Sequence, residues 1–183
     1  MNKLITKASI FAGICILLQG CAQHQPVNYY KDVTQGDTAK LRVIGFTAES
    51  TLWTGFTCDK VDAPGKNAPK VRQTDEVKPA FIDKGFVKSV LPQGIYPLDM
   101  AEFYISANKI TIFIGRYTLS SGESCLVLGP TFKAEKDKLY EIRNRIEGNK
   151  CILEFYQVEE SSSPVKANRL PITQFKDICT IPK

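Results

Sequence analysis

The pair Gly148-Asn149, set between two runs of alternating residues, constrains the fold more tightly than any other stretch. Two-residue turns rich in Gly and Asn close β-hairpins, because both residues tolerate the positive φ that such turns need. With this pair as the turn, Cys151, Leu153 and Phe155 stand opposite Ile146, Asn144 and Ile142. Those six share a face with Tyr140, and Glu141, Arg143, Arg145 and Glu154 fall on the other. One apolar and one charged face is the pattern of a sheet packed on a core from one side. Asn144 is the exception on the apolar face and requires hydrogen-bond partners there.

Strand-like runs recur on either side of this hairpin. Residues 40–48 (KLRVIGFTA) and 51–58 (TLWTGFTC) are β-branched and aromatic. Residues 102–106 and 109–119 flank an Ala107-Asn108 turn. Residues 124–133 and 138–146 flank Glu135-Lys136-Asp137, and 150–158 follows the Gly-Asn turn. Residues 159–170 read as a polar loop and 171–181 as the last strand, while 81–90 holds a short strand or a turn of helix. The expected fold is therefore mainly β: an antiparallel β-sandwich, immunoglobulin-like or similar, of about seven or eight strands. The longest irregular stretch, 59–80, contains Pro64-Gly65, Pro69 and Pro79. Its Lys66, Lys70 and Arg72 form a possible binding loop for acidic glycan or lipid phosphate, with Asp59, Asp62, Asp75 and Glu76 around them. Trp53 beside Phe56 fits core packing better than an exposed ligand platform.

The N-terminus has a different character. Lys3 and Lys7 precede an apolar run over 8–18, too short for a bilayer span of about 20 residues. The run ends in Leu18-Gln19-Gly20-Cys21. This stretch, residues 1–21, resembles a bacterial lipoprotein signal peptide, in which a small residue precedes the cysteine that is lipidated and becomes the mature N-terminus. The resemblance implies lipid attachment at Cys21, including a palmitate-type acyl chain, with residues 1–20 removed. Ala22, where retention in the inner membrane would favour Asp, implies sorting to the outer membrane, with the body in the periplasm. The expected organisation is a signal peptide over 1–20, a lipidated N-terminus and flexible tether over 21–38, and one domain over 39–183.

That reading orders the six cysteines. Cys15 leaves with the signal and Cys21 takes the lipid, so Cys58, Cys125, Cys151 and Cys179 remain. An oxidising compartment favours two disulfides, and no two of the four lie within the C-x₂₋₄-C spacing of a zinc site. A hairpin closed by a loop over 161–169 sets Cys151 opposite Cys179. In a meander of 124–133, 138–146 and 150–158, Cys125 stands two strand spacings from Cys151, about 9.5 Å. A disulfide needs Cα atoms within about 7 Å, which leaves Cys58 to pair with Cys125.

The segment from Thr131-Phe132 to Tyr140, followed by the Gly148…Cys151 hairpin, resembles uncharacterised outer-membrane lipoproteins with a β-sandwich domain. That resemblance carries no activity with it. The only histidine, His24, sits in the tether, which leaves Ser-His-Asp and Cys-His catalysis without a base. No zinc-hydrolase motif and no phosphate-cradling glycine loop occurs, so no metal and no cofactor is expected. Lys3 and Lys7 depart with the signal, lowering the net charge from +5 and arguing against nucleic acid. The expected function is a non-catalytic binding or structural module of the cell envelope, held to the membrane by its lipid and facing an envelope protein. The competing expectation is a carboxylate-dependent hydrolase of an envelope polymer, with Asp99 and Glu102 or Asp75 and Glu76 as the nearest pairs. Two carboxyls converging within about 5–10 Å in an open cleft would distinguish the second from the first.

Overall fold

The computed structural model describes residues 29–45, 50–58, 81–91, 100–118, 124–148, 150–174 and 178. In chain order the strands are β1 (Thr38–Ile44), β2 (Thr51–Phe56), β3 (Phe81–Ile82), β4 (Met100–Ser106) and β5 (Ile110–Thr118). They continue with β6 (Ser124–Lys133), β7 (Leu139–Glu147), β8 (Lys150–Glu159) and β9 (Lys166–Leu170). The fold is mainly β, in two sheets: a six-stranded sheet in the order β3-β4-β1-β7-β8-β9 and a three-stranded sheet in the order β2-β5-β6.

The alternation of β1 shows why the sheets pack. Ala39, Leu41 and Val43 point into a core with Phe103, Ile105, Tyr140, Ile142 and Phe155 from the same sheet. Leu52, Phe113 and Phe132 enter that core from the other sheet. Phe132 joins the layers directly, its ring 5.0 Å from Tyr140 and 4.6 Å from Phe155. Clusters of aromatic rings at such separations add to the area they bury. β1 stops at Ile44 because the next residue, Gly45, has a φ of 69° and lies against Asn144. A Cβ on Gly45 would sit 2.1 Å from the Asn144 carbonyl oxygen.

The β7–β8 hairpin has the register its alternation dictates: Ile146 pairs with Cys151, Asn144 with Leu153 and Ile142 with Phe155. The amide of Asn144 donates to Ile44 O at 3.2 Å, and its Oδ1 has no partner among the described residues. The Ala107-Asn108 turn also forms, with Asn108 at a φ of 58°.

Several expectations are corrected. The large sheet is mixed rather than antiparallel, since β1 runs parallel to β7 and β3 parallel to β4. The turn at 135–137 does not join neighbours in one sheet: β6 lies in the small sheet and β7 in the large one. Cys125 of β6, which packs against β8 of the other sheet, forms a disulfide with Cys151, with Cα atoms 6.5 Å apart and both residues half-buried. The expected pairings of Cys151 with Cys179 and of Cys58 with Cys125 are thereby excluded. The last described strand is β9, inside the stretch read as a loop, with Glu159 opposite Lys166 and Phe155 opposite Leu170. Of the run expected over 171–181, residues 171–174 form no strand, and 175–177 and 179–181 lie outside the described residues. A serine turn sets that tighter register, the Ser162 hydroxyl donating to Glu159 O and accepting from Lys166 N, each at 2.8 Å.

The packed body also begins before residue 39. Tyr30 is buried, its ring edge-on to Phe103 at 5.2 Å and its hydroxyl donating to Tyr104 O at 3.0 Å. The amide of Val33 donates to Tyr104 O, that of Tyr104 to Asp32 Oδ1, and that of Ala107 to Asp37 O. Residues 29–37 thus run along β4 and cover its edge, which would otherwise present unpaired backbone groups.

Candidate functional site

Beta-sheet alternation that buries Leu41 and Val43 turns Lys40, Arg42 and Ile44 to the opposite face of the large sheet. The cross-strand register then sets Glu102 of β4, Arg42 of β1, Glu141 of β7, Tyr156 of β8 and Arg169 of β9 in one row. Arg143 and Glu154 form the next row. A charged outer face was expected, but as a solvated one. Instead Arg42, Glu102, Glu141 and Arg143 are each at most 3% exposed. They are covered by residues 83–90, an irregular strap that follows β3 and crosses the sheet.

Arg42 is the hub. Its Nε donates to Glu102 Oε1 at 2.9 Å and its Nη1 to Glu141 Oε2 at 2.8 Å. Its Nη2 donates to the strap carbonyls of Phe86 and Val87 at 3.0 and 2.8 Å. Glu102 Oε2 accepts from the amides of Lys84 and Phe86 at 2.5 and 3.2 Å, and Oε1 accepts from Lys88 Nζ at 3.0 Å. Glu141 accepts from Arg143 Nε at 2.5 Å and from the Ser89 hydroxyl at 2.8 Å. Arg143 also donates to Ser89 Oγ at 3.1 Å and stacks on Tyr156, its guanidinium carbon 4.2 Å from the ring centre. Burial, with the charge of Glu154, pushes the Tyr156 phenol above its ordinary pKa and keeps it neutral. At the exposed tip of the strap, the Lys88 ammonium and then the Gly85 amide hold the Asp83 carboxyl below the usual range.

Buried charges are costly unless paired and hydrogen-bonded, and here every one is. Chemically, the arrangement leaves little to react. Glu102 and Glu141 do converge, but on Arg42, which lies between them, and their oxygens are filled by donors. Both carboxylates are fully buried beneath the strap. Among the described residues no group of three or more His, Cys, Asp or Glu could hold a metal ion. A surface depression of about 290 Å³ beside 137–139 and 157–161 has Glu159 and Glu160 in its wall. Glu160 is engaged by Lys40 at 2.8 Å, and Glu159 accepts from Asn168.

Of the residues singled out from sequence, Cys21, Lys66, Lys70, Arg72, Cys179, His24, Asp75, Glu76 and Asp99 lie outside the described residues. Cys58 follows β2 and is disulfide-bonded, its sulfur 3.9 Å from the carbonyl oxygen of Ile178. Trp53 is half-buried beside Phe56, ring centres 5.2 Å apart, and its Nε1 has no acceptor among the described residues. Arg145 pairs with Glu147 at 2.6 Å, away from the strap. Sequence reasoning missed Arg42, Lys88 and Ser89, and singled out Glu102 only as a possible partner of Asp99. The alternation in 40–44 already turned Arg42 away from the core, but nothing in it revealed a cover.

Comparisons with known proteins return no matching family model, no matching curated protein and no matching solved structure.

Proposed function

We propose that this chain is an outer-membrane lipoprotein, anchored through Cys21, whose β-sandwich body serves the periplasmic side of the envelope as a non-catalytic binding module. The observation that carries the non-catalytic half is the state of Glu102 and Glu141. They converge on Arg42, and Arg42, Arg143, Lys88 and the strap amides hold their oxygens. Asp83 and Glu102 also meet, on the Lys88 ammonium that lies between them. A glycoside-cleaving pair needs one open acid and one open base or nucleophile facing a cleft, so the hydrolase reading finds no support there. The anchor rests on the resemblance of residues 1–21 to a lipoprotein signal peptide.

A role for the 59–80 segment draws on its two ends. It leaves the small sheet after β2, where Cys58 is bridged, and re-enters at β3 on the edge of the large sheet. Segments mounted on rigid strands at both ends suit recognition, and the sequence of this one holds Lys66, Lys70 and Arg72 among Asp59, Asp62, Asp75 and Glu76. Replacing 63–78 with a short Gly/Ser linker tests it. The far-ultraviolet circular dichroism should stay unchanged while cross-linking to envelope proteins in intact cells falls by at least about fivefold. Undiminished cross-linking places the contact surface elsewhere on the body.

A further inference from the structure

The bonds that hold the strap are unusual in what they recognise. Glu102 takes the amides of Lys84 and Phe86, Arg42 takes the carbonyls of Phe86 and Val87, and Arg143 reaches the carbonyl of Val90. All five strap groups belong to the main chain, and any extended peptide offers the same ones. Side-chain selection falls on four strap residues, of which Lys84 pairs with Asp32 and lies over the Tyr104 ring. Phe86 fills an apolar site formed with Leu139 and Val158, edge-on to Tyr104 at 5.2 Å. Two residues on, Lys88 reaches Glu102, and Ser89 sits between Glu141 and Arg143.

From this juxtaposition of main-chain-reading charges with one aromatic site, we infer that the outer face of the large sheet is a docking surface for an extended peptide, occupied in this structure by the chain's own residues 83–90. The partner segment carries an aromatic residue, a lysine two positions later and a small hydroxyl residue after that.

Two features make the strap replaceable. Residues 83–90 form no strand, so their departure breaks no β-ladder. The face beneath also remains satisfied once they leave, because Arg42 still pairs with Glu102 and Glu141, and Arg143 with Glu141. Lifting a cover from an apolar sheet face would expose a surface prone to aggregation. Lifting this one exposes chiefly ion pairs that water solvates, with the small apolar site of Leu139 and Val158 left open for the partner's aromatic residue. The inference rests on the binding-module reading, and it adds a second contact surface to the 59–80 segment.

The test uses a labelled peptide of residues 81–91, titrated by fluorescence anisotropy into the full chain and into its Phe86→Ala variant. Weakening the internal competitor raises the fraction of open face, so the variant should bind the peptide at least about tenfold more tightly than the parent chain. A peptide with Ala at the anchor position should bind neither. Absence of peptide binding by a folded Phe86→Ala chain overturns the inference. If that variant does not fold, hydrogen exchange on the parent chain decides. The amides of Lys84 and Phe86 should exchange at least about a hundredfold faster than those of Val43 and Ile142, by local opening. Exchange of all four at one common rate overturns the inference equally. Neither readout depends on residues 59–80, so loss of cross-linking on replacing 63–78 is judged separately.

Discussion

At the scale of single residues, the cysteines show how a sound local rule gives a wrong pairing when the layer is misassigned. The limit on disulfide span holds, and Cys125 and Cys151 obey it at 6.5 Å. What failed was the assumption that β6 and β7, consecutive in sequence, are neighbours in one sheet. Because β6 belongs to the other layer, the bridge joins two half-buried cysteines of different sheets and staples the sheets together. In the chain-entropy account, a loop of 26 residues of separation contributes about 3.5 kcal/mol to stability. Cys58 is also bridged, with its sulfur beside the carbonyl of Ile178. Non-reducing peptide mapping should therefore find two linked pairs, Cys125 with Cys151 and Cys58 with Cys179. A peptide joining Cys58 to Cys125 would contradict the two-layer arrangement.

At the scale of elements, the hairpin was legible and the strap was not. The β7–β8 register follows from a two-residue turn and a period-2 pattern, which together admit one pairing. Strand β9 lacked that signal, since Lys166, Asn168 and Arg169 are all exposed and an edge strand need not alternate. The strap has no periodicity at all, so the burial of Arg42 beneath it leaves no mark on the local sequence. The Arg42 layer makes a clear energetic prediction. Arg42→Met leaves Glu102 and Glu141 buried without their shared cation, and urea denaturation should show a loss of about 3–5 kcal/mol. Replacing Arg42, Glu102 and Glu141 together with apolar residues should recover most of that loss. An Arg42→Met protein as stable as the parent would mean that the layer is open to water.

At the scale of the whole molecule, the correction at the N-terminus matters most. With residues 29–37 packed along β4, the chain available between Cys21 and the body shrinks to about eight residues, which can reach no further than about 28 Å. A lipid on Cys21 would hold the two sheets close to the bilayer rather than far out in the periplasm, and a partner would have to meet them there. The sequence carries no motif for histidine-based or nucleotide chemistry, and among the described residues Glu102 and Glu141 are saturated by donors, which is what supports the proposal of a binding module. Everything about location then turns on Cys21. The direct measurement is incorporation of labelled palmitate into the parent chain and into Cys21→Ser, followed by membrane fractionation. The parent should carry the label and sediment with outer membranes, and the serine variant should carry none. Equal labelling of the two proteins, or an unlabelled parent released in soluble form, would contradict the anchored binding module.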